Sequence, residues 1–169
     1  MGSVSPFKMP QDNACPVFRT LNYSNRAEVL EYMELFWRIP VMLGDDYLAE
    51  KDSNFLQAYV SEAIQNENET NTFSGVVTSG ENIIGLHVLR KFSEPPLVGA
   101  HSAALWIHEN YRRRGFATKL KAMGEEWAHR IGADFINSNV LPGNNGIITL
   151  NERLGYSPYK INMRKKLRG

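Results

Sequence analysis

Cysteine is nearly absent from this chain, and no long apolar run interrupts its 169 residues. The single cysteine, Cys15, cannot form a disulfide within the chain, which is typical of proteins in a reducing compartment. No apolar stretch approaches the roughly 18 residues that a membrane-spanning helix needs. Met1 to Pro16 carries three prolines and lacks the apolar segment of a secretory signal. These absences predict a cytoplasmic protein without a membrane partner.

The chain also lacks a large net charge of either sign. The formal net charge is +1, with 43% hydrophobic and 22% charged residues, which is ordinary for a globular protein. The basic residues near the carboxyl terminus are too few to indicate a nucleic-acid partner. Any anion specificity must therefore be local. We expect residues 1–16 to form a flexible tail, residues 17–169 to form one domain, and no metal to be bound.

Apolar periodicity predicts the order strand, two helices, three strands, helix, strand, helix, strand, and hence an α/β fold with one mixed sheet covered on both faces. Asn25 and Glu28 mark the start of the first helix, and Pro40 should end it at Ile39. Ser79-Gly80-Glu81-Asn82 predicts a hairpin turn. The stretch from Ser93 to Gly99 contains Pro95-Pro96 and should be a loop. Tyr159 to Met163 should form the last strand.

One stretch combines a buried strand, three arginines and a helix start. Leu105-Trp106-Ile107 reads as the strand, Arg112-Arg113-Arg114 as a turn, and Gly115-Phe116-Ala117-Thr118 as the first turn of a helix. Such a turn presents unpaired N–H groups and the positive end of the helix dipole. The arginines add fork-shaped donors. Neither a P-loop nor a dinucleotide fingerprint fits the sequence, so we interpret the stretch as a pyrophosphate-binding loop of another type.

Two motifs resemble the GNAT (GCN5-related) N-acetyltransferase superfamily. Arg112-x-x-Gly115-x-Ala117 resembles the coenzyme A loop of that family, and the segment from Asn144 to Tyr156 resembles its Asn-x-x-Ala-x-x-Leu-Tyr-x-x-Leu-Gly-Phe helix. The predicted element order, over about 150 residues, also agrees with the GNAT fold. The resemblance implies a single-domain GNAT fold in which strands four and five separate; here these are Ala100 to Ile107 and Phe135 to Val140.

The resemblance further implies transfer of an acetyl group from acetyl-CoA to a primary amine of a small molecule, by direct attack in a ternary complex. It assigns the pyrophosphate to backbone N–H groups of Arg113 to Thr118, with support from Arg112. A backbone N–H near Ile107 would stabilise the oxyanion. The residues that we expect to bind the coenzyme are Leu105, Trp106, Ile107, Arg112, Arg113, Arg114, Gly115, Phe116, Ala117, Thr118, Asn144 and Asn151.

The catalytic residues are less well marked. His101 occupies the strand position where many relatives carry a general base, and a neutral imidazole can accept a proton near pH 7. His87, Glu94 and Glu109 remain alternatives. Asn151 stands where many relatives have the tyrosine that protonates the leaving thiolate, and an amide cannot transfer a proton as a phenol does.

Other groups could supply that proton. Tyr156 and Tyr159 are candidates, and water is another. Asn144 could bind the pantetheine amide, cap the following helix, or do both.

The acceptor amine is not determined by the sequence. An aromatic and acidic rim between the first two helices would suit a cationic amine, and it consists of Trp37, Asp45, Asp46, Tyr47 and Glu50. Two other functions stay open, a non-catalytic acyl-CoA-binding or partner-binding module and a peptide or protein N-acetyltransferase. Homodimer formation also stays open.

Overall fold

The chain forms an α/β fold built on one mixed sheet. The computed structural model describes residues 14–42, 53–65, 70–163, 165 and 167. The elements are β1 (Val17–Thr20), α1 (Arg26–Met42), α2 (Ser53–Gln65), β2 (Thr72–Ser79), β3 (Asn82–Glu94), β4 (Leu97–Ile107), α3 (Phe116–Arg130), β5 (Phe135–Ser138) and α4 (Asn145–Arg153). Contacts divide the chain into two compact units, Met1–Asn139 and Val140–Gly169. None of the helices in the described ranges is long and apolar enough to cross a bilayer.

The sheet of the first unit has the order β1-β2-β3-β4-β5 in the described part of the chain. The first four strands pair antiparallel, and β5 pairs parallel to β4. This mixed topology confirms the predicted fold class. It agrees with the connections, because short turns join β2 to β3 and β3 to β4, whereas α3 provides the crossover that the parallel pair of β4 and β5 requires; β1 reaches β2 through α1 and α2.

Both faces of the sheet are covered by helices. On one face, Val29 and Tyr32 of α1 and Val60 of α2 pack against Val88 and Trp106. On the other face, α3 buries an apolar stripe against the sheet. The members of that stripe are Leu120, Trp127 and Ala128. Burial of apolar surface on both faces is what holds the layers together.

A β-bulge in β4 lies where β4 and β5 part. Val88 pairs with Ala104 whereas Leu89 pairs with Ser102, so Ala103 is an extra residue in β4. The parallel ladder with β5 ends one residue earlier, at Ser102↔Ser138, whereas β4 continues to Ile107. A bulge bends its strand and increases the local twist. The strand thus leaves its neighbour at the bulge, which agrees with the predicted separation of strands four and five.

The start of α1 agrees with the prediction, but its end does not. The side-chain oxygen of Asn25 accepts a hydrogen bond from the N–H of Glu28 at 3.3 Å, as an N-cap should. The Glu28 carboxylate, however, binds the N–H of Asn22 and the Arg19 guanidinium, at 3.0 and 2.7 Å. The predicted end at Ile39 is wrong, since the helix continues through Pro40 to Met42. Near a helix end proline removes only one backbone donor, and the helix tolerates that loss.

The two hairpin turns are both short. Gly80 adopts a φ of 60°, which a two-residue turn between β2 and β3 requires. The predicted seven-residue loop from Ser93 to Gly99 is wrong, because β3 runs to Glu94 and β4 starts at Leu97. Only Pro95-Pro96, joined by a cis peptide bond, lies between the strands. Proline is compatible with strand ends, so it did not shorten the strands as expected.

The second unit contains α4 and the segment that follows it. The side-chain oxygen of Asn144 accepts a hydrogen bond from the N–H of Ile147 at 3.3 Å and caps the helix. The predicted last strand at Tyr159 to Met163 is wrong, because these residues have no strand structure. Tyr159 and Ile161 are 73% and 91% exposed, so their alternation does not correspond to a buried face.

Candidate active site

The end of β4 leads into a tight 3-10 turn at Glu109–Tyr111. The N–H of His108 donates to the carbonyl of Ile84 at 2.8 Å, which extends the contact between β4 and β3. The ring nitrogen Nδ1 of His108 accepts from the N–H of Asn110 at 3.2 Å and caps the turn. His108 is therefore part of the turn's structure.

Three consecutive arginines follow this turn, and each has a different role in its geometry. Arg112 donates from Nε to the carbonyl of Ile107 at 3.0 Å, which ties the loop to the end of the strand. Arg113 has a φ of 64°, a left-handed conformation that is uncommon outside glycine. Arg114 donates to the carbonyl of Asn110 at 3.0 Å and stacks over the Tyr111 ring at 5.1 Å.

The arginine turn, which we define as Arg112–Gly115, is exposed along its whole length. Arg112 uses Nε and Arg114 uses one terminal nitrogen for the loop itself. The remaining guanidinium N–H groups can point to an anion, because neither contact occupies the whole fork of donors.

Gly115 is the residue before α3, with φ 80° and ψ 6° and no side-chain cap. The first hydrogen bond of the helix runs from Lys119 N–H to the Gly115 carbonyl at 3.1 Å. The N–H groups of Phe116, Ala117 and Thr118 therefore precede the helical ladder and carry the positive end of its dipole. No acidic side chain lies in this first turn. The site is suited to a phosphate group.

Leu105, Trp106 and Ile107 form the last part of β4, beyond the bulge. Trp106 packs in the core on the α1 face, whereas Leu105 and Ile107 pack on the α3 face. These side chains belong to the core, so a ligand can meet these residues through their backbone. The backbone beyond Ser102 lies outside the ladder with β5, and such an edge can add an extended ligand as a further strand.

His101 lies near the bulge, on the α1 face of β4. It pairs directly with Arg90 of β3 and with Asn137 of β5. The side chain is half-buried, and burial together with the Arg90 charge lowers the pKa of His101 below its ordinary value. The imidazole is consequently neutral at pH 7 and can accept a proton.

His87, the alternative base, is buried between the sheet and α3 and has ordinary hydrogen-bond partners. Its Nδ1 lies 3.2 Å from the carbonyl of Leu120, and its Nε2 lies 3.1 Å from the hydroxyl of Ser102. Burial and the charge of Lys121 lower the pKa of His87 to about 3. Such a weak base, with both nitrogens engaged, is a poor acceptor for an amine proton. Glu94 and Glu109 are exposed.

The remaining predicted residues belong to the second unit. Asn144 caps α4 through its side chain, as described above. Asn151 is 7% exposed, and its backbone carbonyl accepts hydrogen bonds from Leu154 and Tyr156, both at 3.0 Å. Tyr156 is half-buried. Their proximity to the arginine turn and to His101 stays a prediction. Of the predicted acceptor rim, only Trp37 lies within the described residues.

A family model decides what kind of protein has this site. The model described as acetyltransferase (GNAT) family matches residues 30–156 of the chain. The chain belongs to the GNAT acetyltransferase family. The match includes all of β4, the arginine turn and the helix α4.

Solved structures with the same fold include several acetyltransferases. An aminoglycoside acetyltransferase from an uncultured soil metagenomic sample, in complex with trehalose, is 15% identical, with a TM-score of 0.69 and coverage of 93% of this chain and 99% of that one. Glucosamine-6-phosphate N-acetyltransferase from Arabidopsis thaliana is 13% identical, with a TM-score of 0.68 and coverage of 91% and 99%. A Trypanosoma brucei acetyltransferase is 14% identical, with a TM-score of 0.66 and coverage of 90% and 100%. A search of curated proteins found no match. At these identities the likeness shows the fold alone.

The structure thus brings His101 and the arginine turn onto one strand and the loop that follows it. Sequence reasoning missed three features next to His101, namely Arg90, Asn137 and the bulge at Ala103. Arg90 had a signal, because it is a charged residue inside the apolar run from Ile83 to Phe92. The bulge had no such signal, because the amino-acid composition of a strand does not show that it contains an extra residue.

Proposed function

We propose that this protein is an acetyl-CoA-dependent N-acetyltransferase that acts on a primary amine of a small molecule. The observation that carries the proposal is the uncapped start of α3 directly after the exposed arginine turn. Dipole, free N–H groups and guanidinium groups there all favour an anion. Membership in the GNAT acetyltransferase family supports the pyrophosphate of acetyl-CoA as that anion. The small-molecule acceptor is supported by the fold neighbours whose names specify aminoglycoside or glucosamine-6-phosphate substrates.

The open edge of β4 is the binding surface for the pantetheine arm in this proposal. The edge begins at the bulge and ends next to the arginine turn. An arm bound there through backbone hydrogen bonds would place the thioester towards the bulge, near His101. Because the thioester then lies towards the bulge, the backbone N–H that donates to the oxyanion would come from the bulge end of this edge and not from near Ile107, where the resemblance led us to expect it.

The reaction has a simple proton balance. The amine nitrogen attacks the thioester carbonyl, the new C–N bond forms, and the C–S bond breaks. His101 takes the proton that the amine loses, directly or through water, because its imidazole is neutral at working pH. The departing thiolate takes up a proton from Tyr156 or from water, while Asn151 can donate a hydrogen bond to it. The products are the N-acetylated amine and coenzyme A.

Calorimetric titration of the full-length protein with acetyl-CoA tests the proposal. The sharpest variant is Gly115→Asp compared with Gly115→Asn, because both side chains tolerate the positive φ and a Cβ at this position meets nothing within 4 Å. We expect the aspartate variant alone to lose at least about 10-fold in affinity, since it places a negative charge in the phosphate site. Arg130→Ala, which removes an exposed cation at the other end of α3, is the control and should bind normally.

Absence of acetyl-CoA binding at millimolar ligand, in a folded sample, would refute the proposal. Binding without turnover across a broad panel of amines would instead support a non-catalytic acyl-CoA-binding module. The observation that favours this second function is Asn151, which stands where a proton donor is expected. Turnover of peptides but not of small amines would identify a peptide N-acetyltransferase.

A further inference from the structure

A row of three polar residues crosses β3, β4 and β5 next to the bulge. Arg90 pairs with His101, and His101 pairs with Asn137. Directly paired residues in a sheet point to the same face. The row lies one position before Ser102↔Ser138, the last pair that β4 and β5 share. We call these three residues the acceptor row.

The acceptor row lies on the α1 face of the sheet and is accessible. The guanidinium carbon of Arg90 lies 5.5 Å from the centre of the Phe36 ring of α1. Arg90 is exposed, and His101 and Asn137 are half-buried. The helix leaves this polar row at least partly uncovered, which avoids the cost of burying polar groups without partners.

An apolar row borders the acceptor row on the same face. Phe92 and Phe135 flank Gly99, with ring centres 5.7 Å apart and planes at 70°. A Cβ on Gly99 would lie 2.3 Å from the Phe92 ring, so the rings close over the glycine. Towards the bulge the neighbours are Val88 and Ala104 of the core. The acceptor row is thus a narrow polar strip between two apolar rows.

The charge of this strip is positive. Arg90 forms no ion pair with a carboxylate in residues 14–42, 53–65 and 70–163. The acid on the same face of β3 is Glu94, four residues along the strand and beyond the Phe92 row, at roughly 13 Å by strand geometry. His101 is neutral at pH 7, as shown above. The strip therefore offers one permanent cation, one neutral base and one amide.

We infer that the acceptor row binds an amine that also carries an anionic group, a carboxylate or a phosphate. This inference rests on the proposed function, since it places the reacting amine at His101. Arg90 binds the anion in a fork-shaped, charge-assisted contact, and Asn137, on the other side of His101, accepts from the amine. Neighbouring strands are about 4.8 Å apart. One small molecule can therefore place its amine at His101 and its anionic group at Arg90. A polycation without an anionic group is disfavoured by Arg90.

The test compares binding of matched amines to the full-length protein saturated with coenzyme A, by calorimetry. Glucosamine and glucosamine 6-phosphate differ by a phosphate, and tryptamine and tryptophan differ by a carboxylate. We expect the anionic member of at least one pair to bind at least about 10-fold more tightly than the other member. The pair that shows this difference tells whether the anion is a phosphate or a carboxylate.

Two variants assign the preference to Arg90. Arg90→Ala should abolish it, and Arg90→Lys should retain part of it. Lys91→Ala is the matched control, because Lys91 is also exposed and cationic but belongs to the opposite face of β3. It should leave the preference unchanged.

Equal or tighter binding of the non-anionic member in both pairs would overturn the inference. An anion preference that survives in Arg90→Ala would overturn it as well. Thermal melting of each variant establishes that it is folded. The separate titration with acetyl-CoA keeps this outcome distinct from failure of the proposed function, because Arg90 is remote from the arginine turn along the sheet.

Discussion

Lowering the pH from 7 to 5 should destabilise the folded protein through one buried histidine. His87 is 1% exposed, and its ring is packed against Gly124 of α3. The carbonyl of Leu120 can only accept, so Nδ1 carries the proton and Nε2 accepts from the hydroxyl of Ser102. Both nitrogens are satisfied in the neutral ring. A second proton on His87 would have to displace the Ser102 donor and charge a buried site.

The magnitude follows from the pKa of His87 in the two states. Burial lowers it to about 3 in the folded protein, from 6.5 in a solvated chain. Between these values the unfolded chain binds a proton that the folded protein does not. Stability is therefore lost as the pH falls through this window, at up to about 1.4 kcal/mol per pH unit. From pH 7 to pH 5 the loss amounts to about 2 kcal/mol.

Denaturant unfolding at pH 7, 6 and 5 measures this loss. His87→Gln removes the titrating group and keeps an amide that can bind both neighbours, so the free energy of unfolding should fall by about 2 kcal/mol less over this range than in the parent protein. His129→Gln is the control, because that side chain is 77% exposed. It should retain the parent's pH dependence. Equal pH dependence in His87→Gln and the parent would refute the assignment of His87 as a buried neutral ring.

Four further changes test other parts of the molecule. Gly99→Ala should destabilise the fold by about 1–3 kcal/mol in chemical unfolding, because its methyl group would overlap the Phe92 ring. Asn144→Ala should cost about 1 kcal/mol in the same assay through loss of the α4 cap. Lys121→Met should raise the free energy of unfolding at pH 7, since burial lowers the pKa of Lys121 to about 8; the parent's gain in stability between pH 8 and 10 should then disappear. His101→Gln should lower kcat at least ~10²-fold in an acetylation assay while acetyl-CoA affinity, measured by calorimetry, is unchanged.

Local sequence signals predicted most of the fold. The hairpin at Gly80, the start of α1 at Asn25 and the Gly115 entry into α3 all depend on side chains within a few residues of each other. The predicted order of elements is confirmed up to α4 for this reason. Such signals act through backbone conformation and capping, which are short-range effects.

The errors occurred where distant partners decide the outcome. Pro40 lies inside a helix, and the two prolines at 95–96 occupy only a two-residue turn, because the strands and helix around them have other stabilising contacts. Tyr159 to Met163 has a strand pattern without strand structure. A strand requires a hydrogen-bonding neighbour, and no local pattern contains that information.

The bulge at Ala103 limited the prediction of the candidate site in the same way. Before the bulge, odd-numbered residues such as His101 point to the α1 face. After it, even-numbered residues such as Ala104 and Trp106 do. Without the bulge, strict alternation would point His101 and Trp106 to opposite faces of the sheet. A strand with His101 on the α1 face would then have turned Trp106 towards α3. One extra residue lets β4 bury an apolar face against α1 and still present a base beside Arg90. The same residue ends the ladder with β5, so the proposed base and the free strand edge arise from a single irregularity.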